Sequence, residues 1–156
     1  MISFETPIGR IRAVFSDQGL RRLWLPGEAI PPALDAAPEA STDVGLVGEL
    51  TDYLCGRLDR FTVPLDLRGT VFQREVWSRV LEIPYGSTRS YSDVARAMGR
   101  PLAARAVGAA NGANPVPILV PCHRLVGADG DPTGYAGGIE LKRWLLRLEA
   151  GPLTGA

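Results

Sequence analysis

The feature that most constrains this fold is a change in hydrophobic pattern near Gly69. Before it, Met1 to Glu5, Arg10 to Phe15 and Leu20 to Leu25 are short alternating or β-rich runs separated by turn sequences. These runs predict a three-stranded meander. After Gly69, apolar residues recur mostly at helical spacing. The pattern predicts an α+β protein with a small N-terminal β-sheet domain, which also holds a helix, and a mainly helical C-terminal domain.

The rest of the first half contains one helix and one loose connection. Residues 26–42 are rich in Ala and Pro without a period, which predicts an irregular surface segment. Apolar residues then recur at helical spacing from Val44 to Leu54, and Gly56 indicates a C-terminal stop. Phe61 to Leu67 is a candidate for a further strand. We expect the domain boundary directly after this region, with domains 1–66 and 67–156.

The second half is predicted to be helical. Thr70 is a candidate N-cap, and Ser90 opens a second helix with Asp93 in the capping-box position. A third helix, from Leu102 to about Asn111, consists largely of small residues, and a final amphipathic helix runs from Ile139 to Glu149. We expect residues 151–156 to be disordered. The apolar stripe of the first helix consists of Val71, Phe72, Val76, Trp77, Val80 and Leu81.

Composition and charge exclude several classes of protein. No run approaches the roughly 20 apolar residues of a membrane span, and the N-terminus runs straight into patterned sequence, so we expect neither a membrane segment nor a signal peptide. Two cysteines and one histidine predict no disulfide framework and no zinc site, hence a cytoplasmic protein without a cofactor. Residues 1–66 carry 6 basic and 10 acidic side chains, whereas residues 67–156 carry 11 and 7. The second half is therefore the better candidate to meet a polyanion, although a bias of this size is common on ordinary surfaces.

The strongest chemical motif is Pro121-Cys122-His123-Arg124, which holds the only histidine and one of the two cysteines. A free thiol has a pKa of roughly 8.5, and a nearby His or Arg raises its thiolate fraction. Cys122 is therefore a candidate nucleophile. Adjacent side chains on an extended backbone point to opposite faces, so contact with His123 needs a bridging water or a sharp turn. These four residues fit equally well with a buried, inert cysteine beside an exposed histidine.

The two short helices around Gly99 have the arrangement of a helix-turn-helix. Four arginines cluster here against the single acid Asp93. Small residues on the second helix would allow close approach to a DNA groove and recognition by shape, with little sequence preference. The alternative is an ordinary helical hairpin packed in a core. The arginines are Arg89, Arg96, Arg100 and Arg105.

Together these motifs resemble the O6-alkylguanine-DNA alkyltransferases, repair proteins that move an alkyl group from damaged guanine to their own cysteine. The resemblance covers residues 1–149, and several independent motifs in the same order make it specific. The motifs are Gly69-Thr70-Val71-Phe72-Gln73, Ile83-Pro84-Tyr85-Gly86, Ser90-Tyr91, Ala104-Arg105-Ala106-Val107-Gly108, Asn114-Pro115, Pro121-Cys122-His123-Arg124, Gly134-Tyr135-Ala136-Gly137-Gly138 and Lys142 through Glu149.

The resemblance implies a single-use enzyme, a methylated-DNA–protein-cysteine methyltransferase. It implies that Cys122 accepts the alkyl group, that His123 is the base that reaches it through water, and that Glu149 orients and charges the imidazole. It further implies that Asn114 braces the active-site turn and that Tyr91 drives rotation of the damaged nucleotide and donates to its base.

The resemblance also implies that the helix-turn-helix enters the minor groove and that the damaged nucleotide swings out of the stack, with Arg105 filling the gap. The partner would be double-stranded DNA containing O6-alkylguanine, with O4-alkylthymine as a second candidate lesion. The protein would be a monomer, and cooperative binding to DNA is left open. The implied DNA-contacting residues are Tyr91, Ala104, Arg105, Ala106, Gly108 and Arg124. The implied substrate-pocket residues are Val126, Tyr135, Ala136 and Gly137.

Two other functions are compatible with parts of the sequence. One is a lesion-binding protein that transfers nothing; the branch of the family with that role lacks the acceptor cysteine, whereas this chain has Cys122. The other is a cysteine hydrolase on an unrelated fold, which nothing else in the sequence supports. The sequence departs from the family pattern at two points. The zinc ligands of some members are absent, and Asp129-Gly130-Asp131-Pro132 is unexpectedly acidic for a segment beside DNA.

Overall fold

A computed structural model describes residues 1–36 and 43–154 of the chain. A small three-stranded sheet comes first and a mainly helical remainder follows, which confirms the predicted α+β class. The elements are β1 (Ile2–Thr6), β2 (Gly9–Ser16), β3 (Gly19–Trp24), α1 (Pro32–Asp35), α2 (Val44–Leu54), α3 (Val71–Leu81), β4 (Arg89–Ser90), α4 (Tyr91–Ala97), α5 (Ala104–Gly112), a 3-10 turn (Cys122–Arg124), β5 (Leu125–Val126) and α6 (Ile139–Ala150).

The three predicted strands form an antiparallel meander in the order β1-β2-β3. The predicted strand over 61–67 is wrong, because this segment makes only an isolated bridge between Leu65 and Leu20. The Leu20 N–H donates to Pro64 O at 2.8 Å, and the Asp66 N–H donates to Leu20 O at 2.9 Å. Pro64 has no N–H of its own, so the ladder cannot continue through it.

Helix α2 has the boundaries that its periodicity predicts. Asp43 caps its first turn by accepting the Leu46 N–H at 2.8 Å. At its end, Gly56 takes φ +73° and the Arg57 N–H donates to Asp52 O at 2.8 Å, which is a Schellman stop. The irregular segment predicted upstream contains a one-turn helix, α1, and its residues 37–42 lie outside the described part of the chain.

The predicted helix-turn-helix is present as α4 and α5, with a left-handed Gly99 (φ +71°) in the turn. Helix α5 starts at Ala104 instead of Leu102, whose side chain is exposed in the turn. The Trp77 indole N–H donates to Ala110 O at 2.8 Å and joins α3 to α5. The apolar stripe of α3 is narrower than its sequence suggests, because Val71 in the first turn is 74% exposed.

The hydrophobic core is continuous across residue 66 and includes residues of the sheet, α2 and the later helices. The Thr154 N–H donates to Gly56 O at 2.6 Å, so the prediction of a disordered tail is wrong up to residue 154; residues 155–156 lie outside the described part. The division into domains 1–66 and 67–156 stays a prediction. Within the described ranges, no helix is long and apolar enough to cross a membrane.

The capping box of α4 makes a testable contribution to stability. Ser90 Oγ accepts the Asp93 N–H at 3.0 Å, and Asp93 Oδ2 accepts the Ser90 N–H at 3.0 Å. We expect Ser90→Ala to lower the free energy of unfolding in urea by about 1 kcal/mol, because an N–H of the first turn loses its acceptor. Ser78→Ala, on the exposed face of α3, is the control and should change it by less than about 0.5 kcal/mol. Equal effects of the two substitutions would contradict this role of the cap.

Candidate active site

The segment that leads to Cys122 is a tight turn and not an extended strand. Asn114 holds both ends of it, since its Nδ2 donates to Val120 O at 2.9 Å and its Oδ1 accepts the Val116 N–H at 2.9 Å. Ile118 in the turn has φ +74°, a left-handed conformation that strains a β-branched side chain. The sheet contributes to this turn as well, because the Leu23 N–H donates to Pro115 O at 2.9 Å. The backbone before the cysteine is thus fixed from several sides.

Cys122 lies on the wall of a small cavity. The 3-10 turn places it there, and only 6% of its surface is exposed. The cavity measures about 50 Å³. Two of the aromatic residues predicted to contact substrate, Tyr91 and Tyr135, line it together with Cys122. Its lining residues are Tyr91, Gly108, Asn111, Gly112, Asn114, Pro117, Cys122, Gly134, Tyr135 and Ala136.

His123 points into a buried polar cluster. It is fully buried, and its Nε2 lies 2.7 Å from Glu149 Oε1. Because an ionised carboxylate only accepts hydrogen bonds, Nε2 carries the proton and Nδ1 presents a lone pair. Nδ1 is buried and has no hydrogen-bond partner among the described residues. The histidine is therefore held as a neutral base with one nitrogen available.

Arg124 belongs to the same buried cluster and is not on the DNA-facing surface. Its Nε donates to Glu149 Oε2 at 2.9 Å and its Nη2 to Oε1 at 2.8 Å, a bidentate pair. Its Nη1 donates to Ile83 O at 2.7 Å. Only 7% of the residue is exposed, and its charge is directed at a buried carboxylate. The DNA contact that the resemblance implies for Arg124 stays a prediction.

Sequence reasoning missed two buried polar residues, one in the cluster and one that acts on the site only through its charge. The Tyr53 hydroxyl donates to Glu149 Oε1 at 2.5 Å, although it belongs to α2 in the first half of the chain. The Lys142 ammonium is buried and donates to Leu125 O at 2.6 Å and Thr133 O at 2.9 Å, which holds the loop before α6. Tyr53 carries no local signal beyond its place in an apolar helical stripe. Lys142 opens the motif Lys142 through Glu149, but nothing in the sequence indicates a role for its side chain.

The electrostatics of the cluster favour a neutral thiol at rest. Burial raises the pKa of Cys122 to about 11, and Asn114 and the charge of Lys142 offset only part of this. Burial also lowers the pKa of His123, with Glu149 acting in the opposite direction. Burial alone would raise the pKa of Glu149, but hydrogen bonds from His123 and Arg124 bring it to about 2. Burial therefore acts on the pKa of Cys122 in the direction opposite to the adjacent basic groups on which the sequence-based expectation of a thiolate rests.

The helix-turn-helix and the cysteine cavity are connected. A surface cleft of about 290 Å³ is lined by Tyr91, Ser92, Ala104, Arg105, Gly108 and Ala128. Tyr91 and Gly108 line both this cleft and the cavity. Arg105 and Ala106 are exposed on α5, and Tyr91 Oη lies 2.6 Å from Thr133 Oγ1. Four of the six residues predicted to contact DNA therefore line one cleft that adjoins the Cys122 cavity: Tyr91, Ala104, Arg105 and Gly108.

Two of the four predicted pocket residues lie elsewhere. Tyr135 and Ala136 line the cavity, whereas Val126 and Gly137 do not. Val126 is buried in β5, which pairs with β4. A Cβ at Gly137 would come within 2.6 Å of Leu141 and 2.8 Å of Leu25. Gly137 is therefore needed for close packing of the loop against the N-terminal half, and Val126 for the small parallel ladder.

Three buried side-chain atoms lack a hydrogen-bond partner in the described part of the chain: His123 Nδ1, Asn111 Oδ1 and Tyr135 Oη. Asn111 and Tyr135 line the cavity with Cys122. Buried polar atoms without partners are uncommon, and each needs an explanation such as a catalytic role, local strain or a bound water or ion. The same described residues contain no group of three or more His, Cys, Asp or Glu side chains placed to hold a metal ion.

Comparison with known proteins gives a consistent result. Residues 71–151 match the family model described as the DNA-binding domain of 6-O-methylguanine DNA methyltransferase. A methylated-DNA–protein-cysteine methyltransferase of Mycobacterium tuberculosis is 47% identical over 148 residues, which are 94% of this chain and 90% of that protein. One of Methanosarcina acetivorans is 42% identical over 150 residues, covering 94% and 95%. The crystal structure of Mycobacterium tuberculosis OGT in complex with DNA superposes with a TM-score of 0.87 at 46% identity, covering 95% of this chain and 91% of that one.

Proposed function

Because the chain belongs to the methylated-DNA–protein-cysteine methyltransferase family, we propose that it repairs DNA by moving one alkyl group from O6-alkylguanine to its own Cys122. The observation that carries this assignment is the Glu149–His123 pair, which leaves Nδ1 of His123, the residue that follows Cys122 in the chain, without a hydrogen-bond partner among the described residues. The thioether product has no accessible reverse reaction, so each molecule acts once.

The proposed reaction needs no external reagent. The Cys122 thiol gives its proton to His123 Nδ1 through a bridging water, and Glu149 stabilises the imidazolium. The sulfur then attacks the alkyl carbon, an S–C bond forms, and the C–O6 bond breaks with its electron pair moving onto the purine. The proton originally on sulfur ends on the purine, which leaves as normal guanine. Tyr91 is placed on the cavity wall where its hydroxyl can donate to the departing base.

Proton transfer has to accompany substrate binding. With its pKa raised to about 11, the thiol is protonated at neutral pH before the substrate arrives. A neutral thiol is inert toward alkyl groups and toward adventitious electrophiles, because the thiolate is the nucleophile. We propose that a flipped purine in the cavity completes the relay, and that ionisation of Cys122 is confined to the complex with damaged DNA.

The DNA-binding part of the proposal uses the small residues of α5 that line the surface cleft. Ala104 and Gly108 lie one helical turn apart there, and their small size would let the helix backbone come close to a minor groove, as shape recognition requires. The cleft beside Arg105 leads to the cavity, so a nucleotide rotated out of the stack has a path to Cys122. The partner we propose is a duplex with O6-alkylguanine, with O4-alkylthymine as a second candidate.

We also propose that the protein acts as a monomer in a reducing compartment such as the cytoplasm. Both cysteines are free, and Cys55 is exposed at the end of α2. A chain with an exposed free thiol and a second, nucleophilic one is compatible with a reducing environment and would be prone to disulfide exchange in an oxidising one.

The direct test is intact mass spectrometry after mixing the protein with a duplex that contains one O6-methylguanine. We expect each chain to gain one methyl group in place of a proton, with the modification mapping to Cys122, and the gain to stop at one equivalent. An undamaged duplex of the same sequence is the control. An unchanged protein mass would overturn the proposal, and continued product release beyond one equivalent would favour a hydrolase.

Arg105 offers a test of nucleotide flipping. We expect Arg105→Ala to slow methyl transfer from duplex DNA by roughly tenfold or more, because unstacking a base costs a few kcal/mol and no side chain would fill the gap. Transfer from the free nucleobase O6-methylguanine should keep its rate, since no flipping is involved. Single-turnover rates on both substrates provide the measurement.

The control for this substitution is Arg21→Ala, which removes the same charge from an exposed position on β3. It should leave both rates unchanged. Equal slowing on duplex and free base by Arg105→Ala would show that Arg105 supports the site itself and would contradict a role in flipping.

A further inference from the structure

The hydroxyl of Tyr53 reaches the proposed relay from a distant part of the chain. It donates to Glu149 Oε1 at 2.5 Å across 96 positions of sequence, and it lies 3.3 Å from His123 Nε2. The residue is fully buried on α2. Its ring is fixed by Phe61, with centroids 5.2 Å apart, and by Tyr85 at 6.1 Å in an edge-on contact. The hydroxyl is thus held in place by packing.

The hydrogen bonds to the carboxylate are unevenly distributed. Glu149 Oε1 accepts from His123, Arg124 and Tyr53, whereas Oε2 accepts, among the described residues, only from Arg124. Tyr53 must be a donor, because the carboxylate is ionised and burial raises the pKa of Tyr53 well above its usual value. Each donor on Oε1 reduces the negative charge that this oxygen offers to the imidazole. Tyr53 and His123 therefore share one acceptor atom.

We propose that Tyr53 is a positioning residue that sets the basicity of His123 by sharing Glu149 Oε1. The expected effect of Tyr53 on methyl transfer rests on the proposed function, whereas its expected effect on the titration of His123 does not. By drawing charge from Oε1, the hydroxyl keeps His123 neutral over a wider pH range, so that Nδ1 stays available to take a proton. The N-terminal half is then part of the catalytic apparatus, because α2 carries the group that tunes the base.

Other charged or titratable groups also face His123 and Glu149. Removing only the Tyr53 hydroxyl leaves these groups unchanged. Arg124 and Glu149 act on His123 directly, and Lys142 acts on it through its charge. Tyr85 and Tyr135 face Glu149 from two further segments, and Cys122 precedes His123 in the chain. A change in the His123 titration on loss of one hydroxyl can therefore be assigned to that hydroxyl.

The experiment is Tyr53→Phe in the full chain, which keeps the ring and removes the donor. His123 is the only histidine, so its imidazole resonances can be followed in a pH titration by NMR without ambiguity. We expect the pKa of His123 to rise by about one unit, because the carboxylate regains charge at Oε1 and stabilises the imidazolium. The acidic limb of the pH profile of single-turnover methyl transfer should move upward by the same amount.

The matched control is Tyr85→Phe, which removes a neighbouring hydroxyl that contacts Leu148 O at 3.5 Å and makes no hydrogen bond to Glu149. It should leave the His123 titration where it is in the unmodified protein. An unchanged or lowered His123 pKa in Tyr53→Phe would overturn the inference, whatever happens to stability. Failure of the proposed function is distinguishable, because the unmodified protein would then transfer nothing while the NMR titration would still report the coupling.

Discussion

Replacing Cys122 by alanine is expected to abolish alkyl transfer completely, whereas replacing Cys55 by alanine is expected to leave it unchanged. The chain has two cysteines, and only Cys122 lies on the cavity that Tyr91 and Tyr135 share. Without its sulfur the site has the base and the pocket but no nucleophile. Cys55 is exposed at the end of α2 and serves as the matched control. Intact mass after incubation with an O6-methylguanine duplex measures both variants.

The alanine variant should still bind the damaged duplex, because the helix-turn-helix and the cavity walls do not depend on the thiol. Fluorescence anisotropy with a labelled duplex separates binding from transfer. A methyl group gained by Cys122→Ala would place the acceptor elsewhere in the chain. Protection of cells by Cys122→Ala equal to that by the unmodified protein would favour a lesion-binding function without transfer.

The second large effect is expected from Glu149→Gln, which removes the charge and keeps the volume. Arg124 would be left buried without its bidentate partner, and breaking such a pair costs about 3–5 kcal/mol. We expect a loss of this size in the free energy of unfolding by urea. Methyl transfer should slow by roughly 10³–10⁴-fold, as when a triad carboxylate is replaced by an amide. The control is Glu140→Gln on the same helix, where the exposed ion pair with Arg143 contributes at most about 1 kcal/mol.

The same variant has an expected signature in pH. The pKa of Glu149 is about 2 in the folded protein, against an ordinary value of 4.5. A group whose pKa is lowered by folding stabilises the fold above its unfolded pKa, and this stability is lost as pH falls toward the folded value. The stability difference between the unmodified protein and Glu149→Gln should therefore shrink steadily between about pH 5 and pH 2. A difference that stays constant over this range would show that the carboxylate is not the source of the effect.

Local signals in the sequence predicted most elements correctly. Capping residues such as Thr70 and Ser90 mark helix starts because their side chains satisfy backbone donors within the same turn. The strand predicted over 61–67 was incorrect because, unlike a helix cap, a strand needs a pairing partner that is distant in sequence. Val71 fits the apolar stripe of α3 by spacing alone, yet it lies where no neighbour covers it.

The candidate site shows the same division. Cys122 and His123 are adjacent and could be proposed directly, and Glu149 came from the family resemblance. The resemblance implied a DNA contact for Arg124, and the sequence gives no sign that this arginine is buried. Its actual partner, Glu149, lies 25 positions away, and its other contact is the Ile83 carbonyl. The Ile83-Pro84-Tyr85-Gly86 motif thus supplies a backbone acceptor to Arg124, a role that its residue types do not reveal.

By itself, the sequence determined the order of strands and helices, the helix-turn-helix and the identity of the candidate nucleophile, because these depend on periodicity, caps and neighbouring residues. Only the tertiary structure decided that burial raises the pKa of the Cys122 thiol, that Arg124 pairs with a carboxylate, and that Tyr53 joins the cluster. These properties depend on burial and on contacts between distant segments. Desolvation and hydrogen bonding act through space, so their effect on a pKa follows from the folded arrangement and cannot be read from residue order.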